Sequence, residues 1–223
     1  MTDDVAPKEF QEAEGVEDWR MLCDGACAFF RTGSFAASAR LVQAISELPG
    51  IEDHPADVDL RRGGVTVRLL TVRDDYFGVT RRDLELARRV SAVARDLGLA
   101  ADPSALQSML VIPGGATAVA ELMPFWRALL GYEPRPDSPA EDLIDPRDRG
   151  PAFWFEQMDA PRADGGGAIH LSVWLPYEQV EARVAAAVAA GGRIVNDRFA
   201  PSWWTLADAA GNEACISTVM GRG

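Results

Sequence analysis

Histidine is scarce in this chain of 223 residues: only His54, in GIEDHPADVDL, and His170, in AIHLSVWLP. Each therefore asks for a reason. Cysteine is scarce as well. Cys23, Cys27 and Cys215 cannot all pair within one chain, and without an export signal they read as reduced thiols in the cytoplasm. Cys23 and Cys27 have no second cysteine pair or neighbouring histidine to complete a zinc set, so burial in apolar strands is their expected fate. No apolar run reaches the ~20 residues that span a bilayer. The opening MTDDVAPKEFQEAEGVEDW is acidic and lacks the basic stretch and apolar core of a signal peptide. Basic residues are outnumbered 22 to 34, giving a net charge of −12, which argues against nucleic acid or an anionic membrane as partner. What remains is a globular chain, 48% apolar, long enough for two small domains and suited to a small-molecule ligand.

Turn and period signals divide the chain. Residues 1–15 are polar and read as loose, or as one short helix. DWRMLCDGACAFFRT is a hairpin about Asp24-Gly25. SFAASARLVQAISEL places Phe35, Ala39, Val42 and Ile45 at helical spacing and stops at Pro49-Gly50. VDLRRGGVTVRLLTV is a second hairpin with Gly63-Gly64 at its turn and Val65, Val67 and Leu69 on one face. TRRDLELARRVSAVARDLG is a helix, with Thr80 and Asp83 in a capping arrangement and Gly98 at its end. AADPS then reads as a linker, so the first domain spans residues 1–100.

The second domain, residues 105–223, contains a repeat. ALQSMLVIP and AIHLSVWLP are both alternating, begin with Ala and end with Pro. A helix follows each, and short strands follow each helix, ending in PAFWFEQM and NEACISTVM. Two such units bury their helices on one face of a sheet and curve the other face. The repeat superposes Gln107 on His170.

Two resemblances cover nearly the whole chain. His54-Pro55, the hairpin after it and GVTRRDLELA make residues 19–98 similar to pterin-4a-carbinolamine dehydratases. FWRALLGYEP, IHLSVWLP and LADAAGNEAC make residues 105–219 similar to the glyoxalase-like, vicinal-oxygen-chelate superfamily. The implied fold is α+β: an antiparallel four-stranded sheet with helices, followed by paired βαβββ units forming a cup-shaped sheet.

The first resemblance implies acid–base chemistry by three imidazoles. One group protonates the leaving 4a-hydroxyl and another takes a proton from the pterin ring nitrogen; imidazoles titrate near neutrality and suit both tasks. The corresponding positions here are Asp53, His54 and, after Thr71, Val72, so one imidazole of three remains. His54 and Asp53 are the catalytic candidates, the alternative being that His54 only caps its loop. Asp83 also matches the family pattern, and its place in a helix first turn accounts for it structurally. Arg68 and Arg73 are isolated arginines, for which solvation is the simpler role.

The second resemblance implies ligands from the first and last strands of each unit: Gln107, Glu156, His170 and Cys215 as a set for one divalent metal ion, with Glu213 on the same face as Cys215 and available as a catalytic carboxyl. Trp154, His170 and Trp203 or Trp204 would line the ligand pocket, and Trp126 belongs to the core. A metal-free cup that only binds small molecules uses the same residues. Two functions stay open: an enzyme, a lyase of either resembled type, with the first domain for oligomerisation or residual pterin dehydration; and a metal-free binding or sequestering protein. The two histidines are expected to serve separate sites, and the open sheet edges of the first domain to be covered in a homodimer.

Overall fold

The computed structural model describes residues 3–115, 118–157, 169–207 and 213–221, without the side chains of Phe125 and His170. The chain divides into two compact units, Met1–Val72 with Gly78–Leu106, and Arg73–Phe77 with Gln107–Gly223.

The elements up to residue 101 are β1 (Asp4–Val5), α1 (Pro7–Glu12), β2 (Arg20–Leu22), β3 (Gly25–Arg31), α2 (Phe35–Ser46), β4 (Asp57–Arg61), β5 (Gly64–Leu69), β6 (Thr71–Arg73), β7 (Tyr76–Thr80), α3 (Arg81–Asp96) and β8 (Ala100–Ala101). Strands β2-β3-β5-β4 form an antiparallel sheet, with β8 also on β3; β1-β7-β6 form a second, small sheet. Alternation puts Ala26, Ala28 and Phe30 of β3 and Val65, Val67 and Leu69 of β5 on one fully buried face. Leu41 and Ile45 of α2 and Leu86, Ala87 and Val90 of α3 are buried with them. Trp19, fully buried, donates from Nε1 to Ala87 O at 3.2 Å and Ser91 Oγ at 3.0 Å, which satisfies its one polar atom. Gly25 has φ 119°, and a Cβ there would lie 2.5 Å from Leu69 O, so the first hairpin requires glycine.

One open alternative is settled and two readings need correction. Of the two alternatives for the start of the chain, residues 3–15 take the short helix and not the loose form: Val5 pairs with Val79 across β1 and β7, and Phe10 of α1 is fully buried. A polar composition hid two apolar anchors and a strand partner more than seventy residues away. The second hairpin turns at Arg62-Gly63, with Gly64 already in β5. The linker is partly built: Asp102 accepts from Ser104 N and caps a 3-10 turn over Pro103–Ala105.

The second unit continues with β9 (Ser108–Gly115), α4 (Val119–Leu130), β10 (Glu133–Pro134), β11 (Asp142–Ile144), β12 (Ala152–Trp154), β13 (Glu156–Gln157), β14 (Ile169–Trp174), α5 (Val180–Ala189), β15 (Arg193–Asn196), β16 (Trp203–Ala207) and β17 (Glu213–Ser217). The sheet order is β10-β11-β12-β9-β14-β17-β16-β15, with β13 prolonging the β12 side of β9. Each βαβββ repeat closes by a parallel pairing of its last strand on its first, β12 on β9 and β17 on β14. The repeats join through the antiparallel β9–β14 pair. This is the paired-unit α+β fold that the repeat implies.

Register fixes the two faces of this sheet. Val111, Phe153, Val173, Ile216, Leu206 and Trp204 share the helix-covered face, where Met123, Tyr132, Leu143 and Phe155 form one core cluster and Leu175, Val180 and Leu206 another. Trp126 packs on the first of these. The opposite face is the cup.

Candidate functional site

The first candidate site joins the loop after α2 to the start of α3. His54 Nε2 lies 2.7 Å from Asp83 Oδ1, and the two side chains are 17% and 1% exposed. Asp83 Oδ2 accepts from Thr71 Oγ1, Thr80 N and Thr80 Oγ1, each at 2.7 Å. Four donors thus converge on one carboxylate that is almost wholly removed from water. Such a group is an acceptor, so the proton of the His54–Asp83 bond belongs on Nε2. The other ring nitrogen, Nδ1, makes no hydrogen bond among the described residues and is the atom left for a ligand.

Sequence spacing accounts for half of this network. Asp83 in the first turn of α3 takes the N–H of Thr80, as its position predicts. It also orients the imidazole, a role the sequence reading did not give it; no local signal joins residues 29 positions apart. Asp53 is exposed, and Val72 is 46% exposed beside Thr71, so neither of the lost imidazole positions is filled by core packing. The arginines are engaged: Arg68 donates to Asp57 at 2.7 and 3.0 Å, and Arg73 lies over the Tyr76 ring.

The second candidate site is the cup. Leu110 pairs with Ala152 and with Ser172, and Glu156 with Gly114, so Trp154 and Glu156 lie on the cup face of β12 and β13. Ser172 pairs with Cys215, which puts Glu213, Cys215 and Ser217 there too; Trp203, opposite Ser217, joins them. Trp204, opposite Ile216, lies on the helix side instead. Burial pushes the Cys215 thiol above its ordinary range, the carboxylates of Glu213 and Glu156 add to this, and a hydrogen bond with Thr205 partly offsets it. The two acids therefore act on one thiol. Beneath it, Ser172 Oγ and Ser217 Oγ lie 2.7 Å apart in a buried hydroxyl pair.

One residue of the expected metal set, Gln107, lies apart from the cup. β9 begins at Ser108, because the turn over Pro103–Ala105 occupies the residues before it. Gln107 is therefore outside the strand, exposed, and its Oε1 accepts from Arg183 of α5 at 3.0 Å on the helix side. The cup-face positions of β9 are Ser108, Leu110, Ile112 and Gly114, none of them an acid, a histidine or a cysteine. Among the described residues, no three of His, Cys, Asp and Glu come together in a metal-binding group. The backbone of His170 pairs with Ile112, and its side chain lies outside the described residues. Glu156 and Cys215 share the cup face, Gln107 does not join them, and the fourth expected ligand, the His170 side chain, lies outside the described residues.

Comparison with known proteins agrees with the two-unit reading. The model of the family Pterin 4 alpha carbinolamine dehydratase matches residues 3–93, and that of the Glyoxalase-like domain matches 109–217. A protein of Nocardia farcinica named as a pterin-4-alpha-carbinolamine dehydratase is 32% identical over 82 residues, 37% of this chain and 84% of that one. Two solved structures align with about half of the chain: the NAD-dependent benzaldehyde dehydrogenase from Legionella pneumophila (16% identity, 49% of this chain and 97% of that one, TM-score 0.36), and a glyoxalase/bleomycin resistance protein/dioxygenase superfamily member from Vibrio splendidus (13%, 51% and 99%, 0.34). At these scores neither adds to the strand order described above. Over residues 109–217 the chain matches the model of a glyoxalase-like domain, and through residues 3–93 it belongs to the pterin-4-alpha-carbinolamine dehydratase family.

Proposed function

We propose that the first unit binds a 4a-hydroxytetrahydropterin and dehydrates it slowly, as a lyase with one proton carrier. The observation that carries this reading is the His54–Asp83 pair, held at 2.7 Å on a carboxylate that accepts three further hydrogen bonds. A neutral imidazole with its proton on Nε2 has a basic Nδ1. It takes the proton from the pterin ring nitrogen as the C4a–O bond breaks, and the Asp83 carboxylate stabilises the imidazolium that forms. The same proton then passes to the departing hydroxide, so the sum is loss of one water. With Val72 and Asp53 in place of the other two imidazoles, the leaving group departs without its own acid, which sets the rate low. Both the reading and its reaction class come from the family likeness and this geometry together.

The glyoxalase-like domain serves, in this reading, as a metal-free cup for a second small molecule, with Trp154 and Trp203 as its aromatic wall and Glu156 and Glu213 as its polar groups. Metal analysis of protein purified without chelators tests that part, and a stoichiometric divalent ion would contradict it. We propose that the protein is cytoplasmic and that the first unit pairs as a homodimer across its open sheet edges; a monomer by light scattering at micromolar concentration would refute the pairing. The direct test of the catalytic reading is the dehydration rate of freshly generated 4a-hydroxytetrahydropterin. Added protein should accelerate it measurably and saturably, and a rate equal to that in buffer would overturn the assignment.

A further inference from the structure

On the face of the second sheet opposite the cup, α5 does not cover β15 and β16 completely. It leaves a groove of about 730 Å³, a volume within the range of small-molecule sites. Val188 and Ile194 on its walls are 42% and 44% exposed, apolar surface left in water where a repeat of this fold would bury it. Tyr177 and Trp204 contribute two aromatic side chains. Glu178 and Glu181 are among its lining residues, and among the described residues no Lys or Arg lines it. Arg183, the basic residue of α5, is directed to Gln107 instead. Glu181 sits in the first turn of α5, where its full charge exceeds the partial positive charge of the helix end.

From this we propose that the groove is a binding site, separate from the cup, for an apolar aromatic molecule bearing a single positive charge, such as an arylamine or a quaternary ammonium. The apolar walls take the body of the ligand. The rings of Trp204 and Tyr177 and the Glu181 carboxylate favour the cation. An anion of the same shape meets only like charge. The site does not depend on the function proposed for either the first unit or the cup.

Rhodamine 6G, a planar aromatic cation, and fluorescein, an anion of similar outline, are the probes, followed by fluorescence anisotropy with the full chain. Rhodamine 6G should bind saturably with one equivalent, and fluorescein at least tenfold more weakly. Glu181→Lys and Val188→Lys, both at exposed positions, should each weaken rhodamine binding at least tenfold with unchanged thermal unfolding. Trp203→Ala, in the cup, should leave it unchanged. Equal binding of the two dyes would overturn the ligand class. Loss in Trp203→Ala with retention in the two lysine variants would place the dye in the cup and overturn the site. Dissociation of an oligomer by the lysine variants, without dye binding to the parent, would show that a second copy covers the groove and would likewise refute the proposal.

Discussion

The two candidate sites differ in how their polar groups are held. At His54–Asp83, one buried carboxylate accepts four hydrogen bonds within the protein, and the second ring nitrogen of His54 makes none among the described residues. In the cup, Glu156, Glu213, Cys215 and Trp203 share a face set by strand register. The first arrangement is preorganised for a proton transfer, because orienting the imidazole costs nothing further when a substrate arrives. The second is preorganised for shape. A site of that kind tolerates exchange of its polar groups, whereas the first fails with the loss of any one.

The largest effect expected from this contrast is a gain. Asp53→His with Val72→His should raise dehydration by orders of magnitude, since each positioned acid or base contributes ~10²–10⁴-fold. Val72 is exposed, so the variant should unfold within about 0.5 kcal/mol of the parent. An unchanged rate in a folded double variant that still binds pterin would break the account of why the parent is slow. Asp83→Asn comes next. An amide offers one acceptor oxygen where three donors converge and His54 expects a fourth, so stability should fall by about 1–3 kcal/mol in urea unfolding, with dehydration lost as well. The exchanges Glu156→Gln and Glu213→Gln in the cup should change neither quantity, which sharpens the comparison from the other side.

Smaller effects concern the thiols. Burial pushes Cys27 well above the ordinary thiol range, and Cys215 is raised by burial and its two acids. Cys23, only half-buried, should therefore react first with a thiol reagent at neutral pH, and Cys27 last. The same shifts set a pH dependence. Both thiols hold their protons more tightly in the folded chain than in the unfolded one. Their contribution is intact below the ordinary thiol value and is lost as pH rises above it toward the raised values. The urea midpoint should fall on going from neutral to alkaline pH, and Cys27→Ala with Cys215→Ser should flatten that fall.

Much of this architecture is legible in the sequence because it is periodic. Alternation placed Glu156 with Trp154 and Glu213 with Cys215 on one face, and the repeat gave both βαβββ units. Register is harder. Gln107 superposes on His170 in the sequence repeat, but the turn capped by Asp102 delays the start of β9, and a delay of this kind cannot be read from two strings that both begin with Ala. Long-range pairing is harder still. The capping role of Asp83 follows from three residues of spacing, and its hold on His54 does not. For the same reason the start of the chain, with Val5 and Phe10, stays open between a loose segment and a short helix until their partners are in view.

The central claim is that His54, oriented by Asp83, moves the proton. Its most direct measurement is the dehydration rate of His54→Ala with and without added imidazole. The account predicts a loss of ~10²–10⁴-fold relative to the parent's own acceleration, partly restored as imidazole is titrated in while pterin affinity changes little. An alanine variant that dehydrates as fast as the parent would contradict it.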